Sequence, residues 1–210
     1  LEDHVSKEFT ERGTQHDFGE DLFKATAYLT PIVWESINDV VVKARDIMDF
    51  LKSIARLVAS ENLPVCWSTP LNFPVQMMCY KKESKRVKTK MGDSIVKLSV
   101  ASETNEIDKR KTAQSVCPNF IHSLDASVLQ LVDNFSMIHD SFGCTAPDNR
   151  IMANAIRDAF CEIYKDDVLL NFANEMKAML SEKNLKKFPE IPTKGNLDLD
   201  LVKKSVFFCI

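Results

Sequence analysis

From residue 31 to residue 61 apolar side chains recur at three- and four-residue steps: Ile32, Trp34, Ile37, Val41, Ala44, Ile47, Phe50, Leu51, Ile54 and Leu57. That period lays an apolar stripe along a helix and is incompatible with a strand, whose side chains alternate with period two. The pattern predicts one long scaffold helix, with Pro31 in its first turn and Asn62 and Pro64 ending it. A stripe of this length needs a core to face. With 45% apolar and 27% charged residues in 210, the chain has the composition to build one, and a disordered reading is excluded.

Residues 1–28 read as helical and charged, broken near Gly13 and Gly19. After the long helix, residues 65–68 and 75–80 have the β-branched and aromatic content of short strands around the turn TPLNFP. The stretch YKKESKRVKTK then leads through Met91-Gly92-Asp93-Ser94 into an alternation of Ile95, Lys97 and Ser99 against Val96, Leu98 and Val100. This predicts a β-hairpin with a Gly-Asp turn and lysines carried outward. A second helical region is expected from near Glu106 to about Asp133, with a break at Pro118. A second hairpin follows, residues 135–139 and 142–145, with Asp140 and Ser141 at or beside its turn. Helices at residues 147–164 and 168–181 and a short segment at 199–205 complete the chain. Long helices interleaved with short antiparallel β-hairpins make an α-rich α+β fold, divided as 1–62, 63–104 and 105–210.

The longest apolar stretches are too short to span a bilayer, so no membrane association is expected. The six cysteines, Cys66, Cys79, Cys117, Cys144, Cys161 and Cys209, form no CxxC pair and lack zinc-ligand spacing. They read as reduced, buried thiols of an intracellular protein. The chain opens at Leu1 without an initiator Met or a targeting pattern and is read as starting inside a longer protein.

A net charge of −3 argues by itself against a polyanionic partner, but the basic residues are unevenly placed. Lys81, Lys82, Lys85, Arg86, Lys88 and Lys90 stand against a single Glu83, and Lys109, Arg110 and Lys111 follow. Three readings fit: a solvated surface, lysines guarding an exposed strand edge, or a ribbon that reaches DNA phosphates or a groove.

The stretch SMIHDSFG, residues 136–143, is the one place where chemistry is concentrated. A carboxylate at the tip of a tight hairpin suits Mg²⁺, which takes oxygen ligands and keeps sites for water and phosphate. Taken alone, His139-Asp140 is a weak signal and reads first as a turn with an Asx hydrogen bond. A metal phosphohydrolase of the His-Asp type would need further His and Asp ligands, and His4, His16 and His122 do not form that pattern.

SMIHDSFG resembles the palm hairpin of bacteriophage-type and mitochondrial single-subunit DNA-directed RNA polymerases. CPNFIHSLDAS resembles that family's preceding motif, VWESINDVVVKARDIMDFLKSIARLVA its long helix, WSTPLNFPV its strand and turn, and PTKGNLDLDLVKKSVFFCI its extreme C-terminus, in the same order. Related DNA polymerases usually place Glu after the Asp, so Ser141 fits the RNA polymerase branch. The resemblance implies the C-terminal palm and fingers portion of a right-hand polymerase, with residues 1–62 as helical scaffold, 63–104 as strands and a specificity-loop-like hairpin, and 105–210 as palm region and foot.

It further implies Asp140 as the Mg²⁺ ligand and catalytic carboxylate, His139 supporting it, and His122 contacting the duplex near the growing end. Lys85, Arg86, Lys88 and Lys90 lie on the promoter-reading hairpin, and Phe207, Phe208 and Ile210 on a C-terminal foot. The implied partners are DNA template and promoter, RNA product and ribonucleoside triphosphates, for a monomer in the cytoplasm of a phage-infected host or, second, in a mitochondrion. The chain departs from the family in two ways. The other metal-binding Asp and the fingers helix with its Lys and Tyr are not in it, so it is expected to be inactive alone, and the link from Leu124 to Phe135 is shorter by roughly two helical turns. The other reading that the residues support is a non-enzymatic nucleic-acid-binding module built on the basic hairpin.

Overall fold

The computed structural model describes residues 22–92, 94–132, 136–138 and 141–205. The chain divides into two compact units, Leu1–Ile47 and Met48–Ile210. In the first, helix α1 covers Leu22–Val40 and helix α2, Val42–Ser60, begins. Helix α1 therefore starts before Pro31, and that proline lies inside it rather than in its first turn. Pro31 is exposed, so water can serve the carbonyl that its missing amide leaves free. The expected single helix is interrupted only at Val41, where the backbone bonds run on from Val41 N to Ile37 O at 2.9 Å and from Arg45 N to Val41 O at 3.1 Å. Val40, Val41 and Val42 are all β-branched, and such side chains crowd the preceding turn.

The apolar stripe behaves differently along its length. Ile32, Trp34, Ile37 and Val41 are exposed, whereas Phe50, Leu51, Ile54, Ala55, Val58 and Ala59 are buried in the second unit. Asn62 ends α2 with φ of 58°, a left-handed conformation that Asn tolerates.

Strands β1, Val65–Ser68, and β2, Pro74–Met77, pair antiparallel with Val65 opposite Met77. They flank a turn closed by Thr69 N donating to Phe73 O at 2.9 Å. Strands β3, Tyr80–Met91, and β4, Ser94–Ile107, form a long two-stranded ribbon with one irregularity between Tyr80 and Lys82. The ribbon runs past residue 100, where the alternation weakened, to Ile107.

Helix α3 covers Lys109–Leu131 without a break. Asp108 caps it, its carboxylate accepting from Arg110 N and Lys111 N at 3.0 Å each. The expected interruption at Pro118 is absent because the proline sits on the exposed side and the Asn119 side-chain amide donates to Ser115 O at 2.8 Å, serving a carbonyl beside the defect. The buried face of α3 includes Thr112, Ser123 and Ser127 among Ala113, Val116, Phe120, Leu124 and Val128. Strands β5, Ser136–Ile138, and β6, Ser141–Gly143, pair with Ile138 opposite Ser141. A 3₁₀ turn, Ala146–Asp148, leads into α4, Asn149–Lys165, followed by α5, Val168–Met179, the short α6, Glu182–Leu185, and α7, Asp200–Lys204. Among the described residues the three β-hairpins are separate two-stranded sheets, in keeping with the expected α-rich α+β class.

The core of the second unit is built on α3. Trp67, Phe120 and Phe172 form an aromatic triad, with centroids 6.2 Å, 5.9 Å and 5.0 Å apart. The Trp67 indole N–H donates to Ser123 Oγ at 3.0 Å, and that hydroxyl donates to Phe120 O at 2.7 Å. Cys66, Cys79, Cys117, Cys144 and Cys161 are free and half-buried rather than fully buried. Burial holds the Cys117 thiol above its usual range.

The end of α2 is tied to the chain before α6 by Glu61, whose carboxylate accepts from Ser181 N at 3.2 Å and from Asn184 Nδ2 at 2.6 Å, and also from the Ser181 hydroxyl. These bonds, the Ser181 hydroxyl first, hold the Glu61 carboxyl below the usual glutamate range.

Two outcomes follow. Phe172→Ala removes a fully buried ring and is expected to destabilise the second unit by about 3–5 kcal/mol in urea unfolding, whereas Val87→Ala on the exposed ribbon changes stability by less than about 0.5 kcal/mol. For Glu61 the folded carboxyl is the more acidic, so its stabilisation is present above the unfolded value and lost as pH falls through the folded one. Glu61→Gln should therefore lower the urea midpoint at neutrality and leave it nearly equal to the parent by about pH 3.

Candidate nucleic-acid interface

The ribbon sorts its side chains by register. Lys82 faces Glu103, Arg86 faces Ser99, Lys88 faces Lys97 and Lys90 faces Ile95, and these rungs share one face because side chains alternate along a strand. The other face carries Lys85 opposite Val100, Val87 opposite Leu98 and Thr89 opposite Val96. Arg86, Lys88 and Lys90 are thus brought together, and Lys85 is set apart from them on a mostly apolar face. All four are exposed.

At the ribbon base the charges are neutralised: Lys81 pairs with Glu106 at 2.6 Å and Lys82 with Glu103 at 3.6 Å. The Glu106 partnership raises the affinity of Lys81 for its proton and lowers that of Glu106. Further out, Arg86, Lys88, Lys90 and Lys97 have no ion pair among the described residues. Lys88 and Lys97 lie directly opposite each other, an arrangement of like charges that weakens a sheet unless an anion sits over it. Lys97 was not among the site residues expected from sequence. Counting outward from the Gly92-Asp93 turn pairs it with Lys88, so its signal lay in the turn rather than in local charge density.

His122 lies on the exposed side of α3, between Ile121 and the buried Ser123. Its neighbours fix it there, because Ser123 is held to Trp67. Asp125, one turn on, is also exposed, and its charge adds to burial in raising the proton affinity of the nearby Tyr164 hydroxyl.

His139 and Asp140 lie outside the described residues, as do Phe207, Phe208 and Ile210 of the expected foot. What surrounds the His-Asp pair in sequence is described. Ile138 and Ser141 close the β5–β6 pairing, and Phe142 packs against a core of Val128, Val132, Ile156, Ala159 and Ile163. That contact seats the hairpin on α3 and α4. Among the described residues no group of three or more His, Cys, Asp or Glu side chains is arranged to hold a metal ion. No described helix is long and apolar enough to cross a membrane.

A family model for DNA-dependent RNA polymerase matches residues 1–187. The chain is 31% identical over 214 residues to DNA-directed RNA polymerase 1, mitochondrial, of Arabidopsis thaliana, which covers 98% of this chain and 21% of that protein. It is 32% identical over 213 residues to T7 RNA polymerase of Escherichia phage T7, covering 88% of this chain and 24% of that protein. With the DNA-directed RNA polymerase of Enterobacteria phage K11 the identity is 31% over 221 residues, covering 91% and 24%. The chain therefore spans about a fifth to a quarter of the length of these relatives. A hairpin flanking His-Asp, a long basic ribbon and a family match running from residue 1 to residue 187 agree, and the chain belongs to the phage-type DNA-dependent RNA polymerase family.

Proposed function

We propose that this chain is the C-terminal palm and fingers portion of a right-hand RNA polymerase that copies a DNA template into RNA from ribonucleoside triphosphates. The observation that carries the reading is the β5–β6 hairpin, seated through Phe142 on the same helix, α3, that presents His122 to solvent. In this reading residues 1–62 are scaffold, 63–104 hold the promoter-reading hairpin and 105–210 form the palm region and foot. The reaction is in-line attack of a 3′-hydroxyl on an α-phosphate, and catalysis is mainly positioning and charge neutralisation.

Asp140 supplies a hard oxygen ligand of the kind Mg²⁺ takes, and a bound Mg²⁺ would supply charge neutralisation at the reacting phosphate. His139 supports that carboxylate, and His122 holds the duplex near the growing end. On the ribbon, Arg86, Lys88 and Lys90 act on one face toward promoter DNA, and Lys85 acts from the opposite face. The relatives named above are phage and mitochondrial proteins, so the cytoplasm of an infected host cell or, second, a mitochondrion is the setting proposed. The working form is a monomer.

The unpaired cations of the ribbon would equally serve a nucleic-acid-binding module without catalysis. Asp140→Asn in the intact polymerase separates the two. Nucleotide incorporation should fall by at least about a hundredfold, more than the loss typical of changes to groups that merely support metal ligands, while DNA affinity is retained. Unchanged incorporation would refute the polymerase role of Asp140.

Lys97→Glu tests the ribbon. It converts the like-charged rung into an opposite-charged one, so amide exchange along β3 and β4 should slow, by the equivalent of about 0.2–1 kcal/mol, while promoter affinity drops. Slower exchange with undiminished affinity would remove the ribbon from the DNA contact.

A further inference from the structure

A second set of cations converges away from the ribbon rungs. Lys52 and Arg56, one turn apart on α2, and Lys109 and Arg110, in the first turn of α3, line a cleft of about 530 Å³ with Ala113 and Gln114. The lining contains no acidic residue, and Asp49, one turn before Lys52, is not part of it. None of the four cations is in an ion pair among the described residues. Glu106, which feels the charge of Lys109, is itself paired with Lys81 at 2.6 Å. The Asp108 carboxylate is committed to the α3 cap at 3.0 Å from each of two backbone amides.

This arrangement works against the fold. Cations in the first turn of a helix stand at the positive end of its dipole, where anions are favoured, and four like charges around one cleft repel. An anion in the cleft relieves both. Lys52 is half-buried, Arg56, Lys109 and Arg110 are exposed, and Gln114 is exposed beside them. An open cleft whose donors are largely exposed suits a polyanion lying across it better than a small anion, which would need buried, fixed donors to compete with water.

We propose that the α2–α3 cleft is a second contact for the phosphodiester backbone of duplex DNA, separate from the ribbon and indifferent to base sequence. The proposal rests on the polymerase reading above and adds a site to it. Geometry permits one duplex to reach both places. From the Arg86–Ser99 rung to the end of β4 at Ile107 the strand covers roughly 26 Å at about 3.3 Å per residue. That is less than the roughly 34 Å of one DNA turn.

The test is duplex binding by the intact polypeptide, followed by fluorescence anisotropy across a salt series, on promoter and random duplexes. With Lys52, Arg56, Lys109 and Arg110 all changed to Gln, the slope of log affinity against log salt should become shallower by about 3 to 4, since each phosphate contact contributes about 0.9. The loss should be equal on both duplexes, leaving their ratio unchanged. A control in which the exposed Lys183, Lys186, Lys187 and Lys204 are changed to Gln removes the same net charge and should leave the slope nearly intact.

Should the fourfold variant not fold by circular dichroism, the pairs Lys52→Gln with Arg56→Gln, and Lys109→Gln with Arg110→Gln, are each expected to reduce the slope by about 2. An unchanged slope, a slope reduced equally by the control, or displacement of duplex by stoichiometric tripolyphosphate overturns the proposal. A parent protein with no salt-dependent duplex binding overturns the polymerase reading as well. Retained parental binding with an unchanged variant slope overturns the cleft alone.

Discussion

The indole of Trp67 binds the second unit in two ways at once. It packs at a tilt on Phe120 and edge-on to Phe172, and its N–H bonds to Ser123 Oγ at 3.0 Å. Stacking is adaptable, but the hydrogen bond is directional and fixes the rotation of α3 about its own axis. Once Ser123 faces Trp67, His122 is turned toward solvent, and Leu124, Ser127 and Val128 are turned inward. Val128 and Val132 then complete the surface on which α4 and Phe142 pack. The placement of His122 and of the hairpin flanking His139-Asp140 thus depends on one bond between a strand and a helix that are far apart in sequence.

The ribbon has no such support. Both faces of β3 and β4 carry exposed side chains, including Val87, Leu98 and Val100 on the apolar face. A two-stranded hairpin is marginal by itself in water, so its order has to be imported from the base. Asn62 supplies much of that, its side chain donating to Asn105 O at 3.1 Å and accepting from Ile107 N at 2.8 Å. A residue chosen by its left-handed backbone to stop α2 therefore also clamps the root of the ribbon.

How much of this was legible in sequence depended on which physical rule a residue obeyed. The hairpins were legible because alternation and turn chemistry are local: Gly92-Asp93 and the turn from Thr69 to Phe73 announce themselves within a few residues. The helices α4 and α5 were legible from their period. Pro31 and Pro118 misled because a proline penalty can be met by water on an exposed face, and exposure is a property of tertiary packing. The Asn119 amide that serves Ser115 O could be counted only once the helix was known to continue. In α3 the buried stripe is diluted by Thr112, Ser123 and Ser127, so hydrophobic period alone understated a helix in which Ser123 and Ser127 are inside because they bond to Trp67 and to the backbone. The separation of Lys85 from Arg86, Lys88 and Lys90, and the role of Lys97, needed register, which local charge density does not contain.

Charge segregation ties these observations together. A chain of net charge −3 carries two of its groups of cations, those of the ribbon and those at the start of α3, where a single joint can organise them. At that joint Asp108 N donates to Cys79 O at 2.7 Å, Ile107 N bonds to Asn62, and the Asp108 carboxylate caps α3. The ribbon ends and the helix begins within two residues, so the rungs of Arg86, Lys88 and Lys97 and the cleft of Lys109 and Arg110 share one rigid origin. Coulomb attraction sets how strongly each would hold a phosphate, but this hydrogen-bonded junction sets the distance between them. It follows that spacing and affinity are separable here: loosening Asn62 would keep every charge and still alter the spacing between the two groups, and with it which polyanion fits.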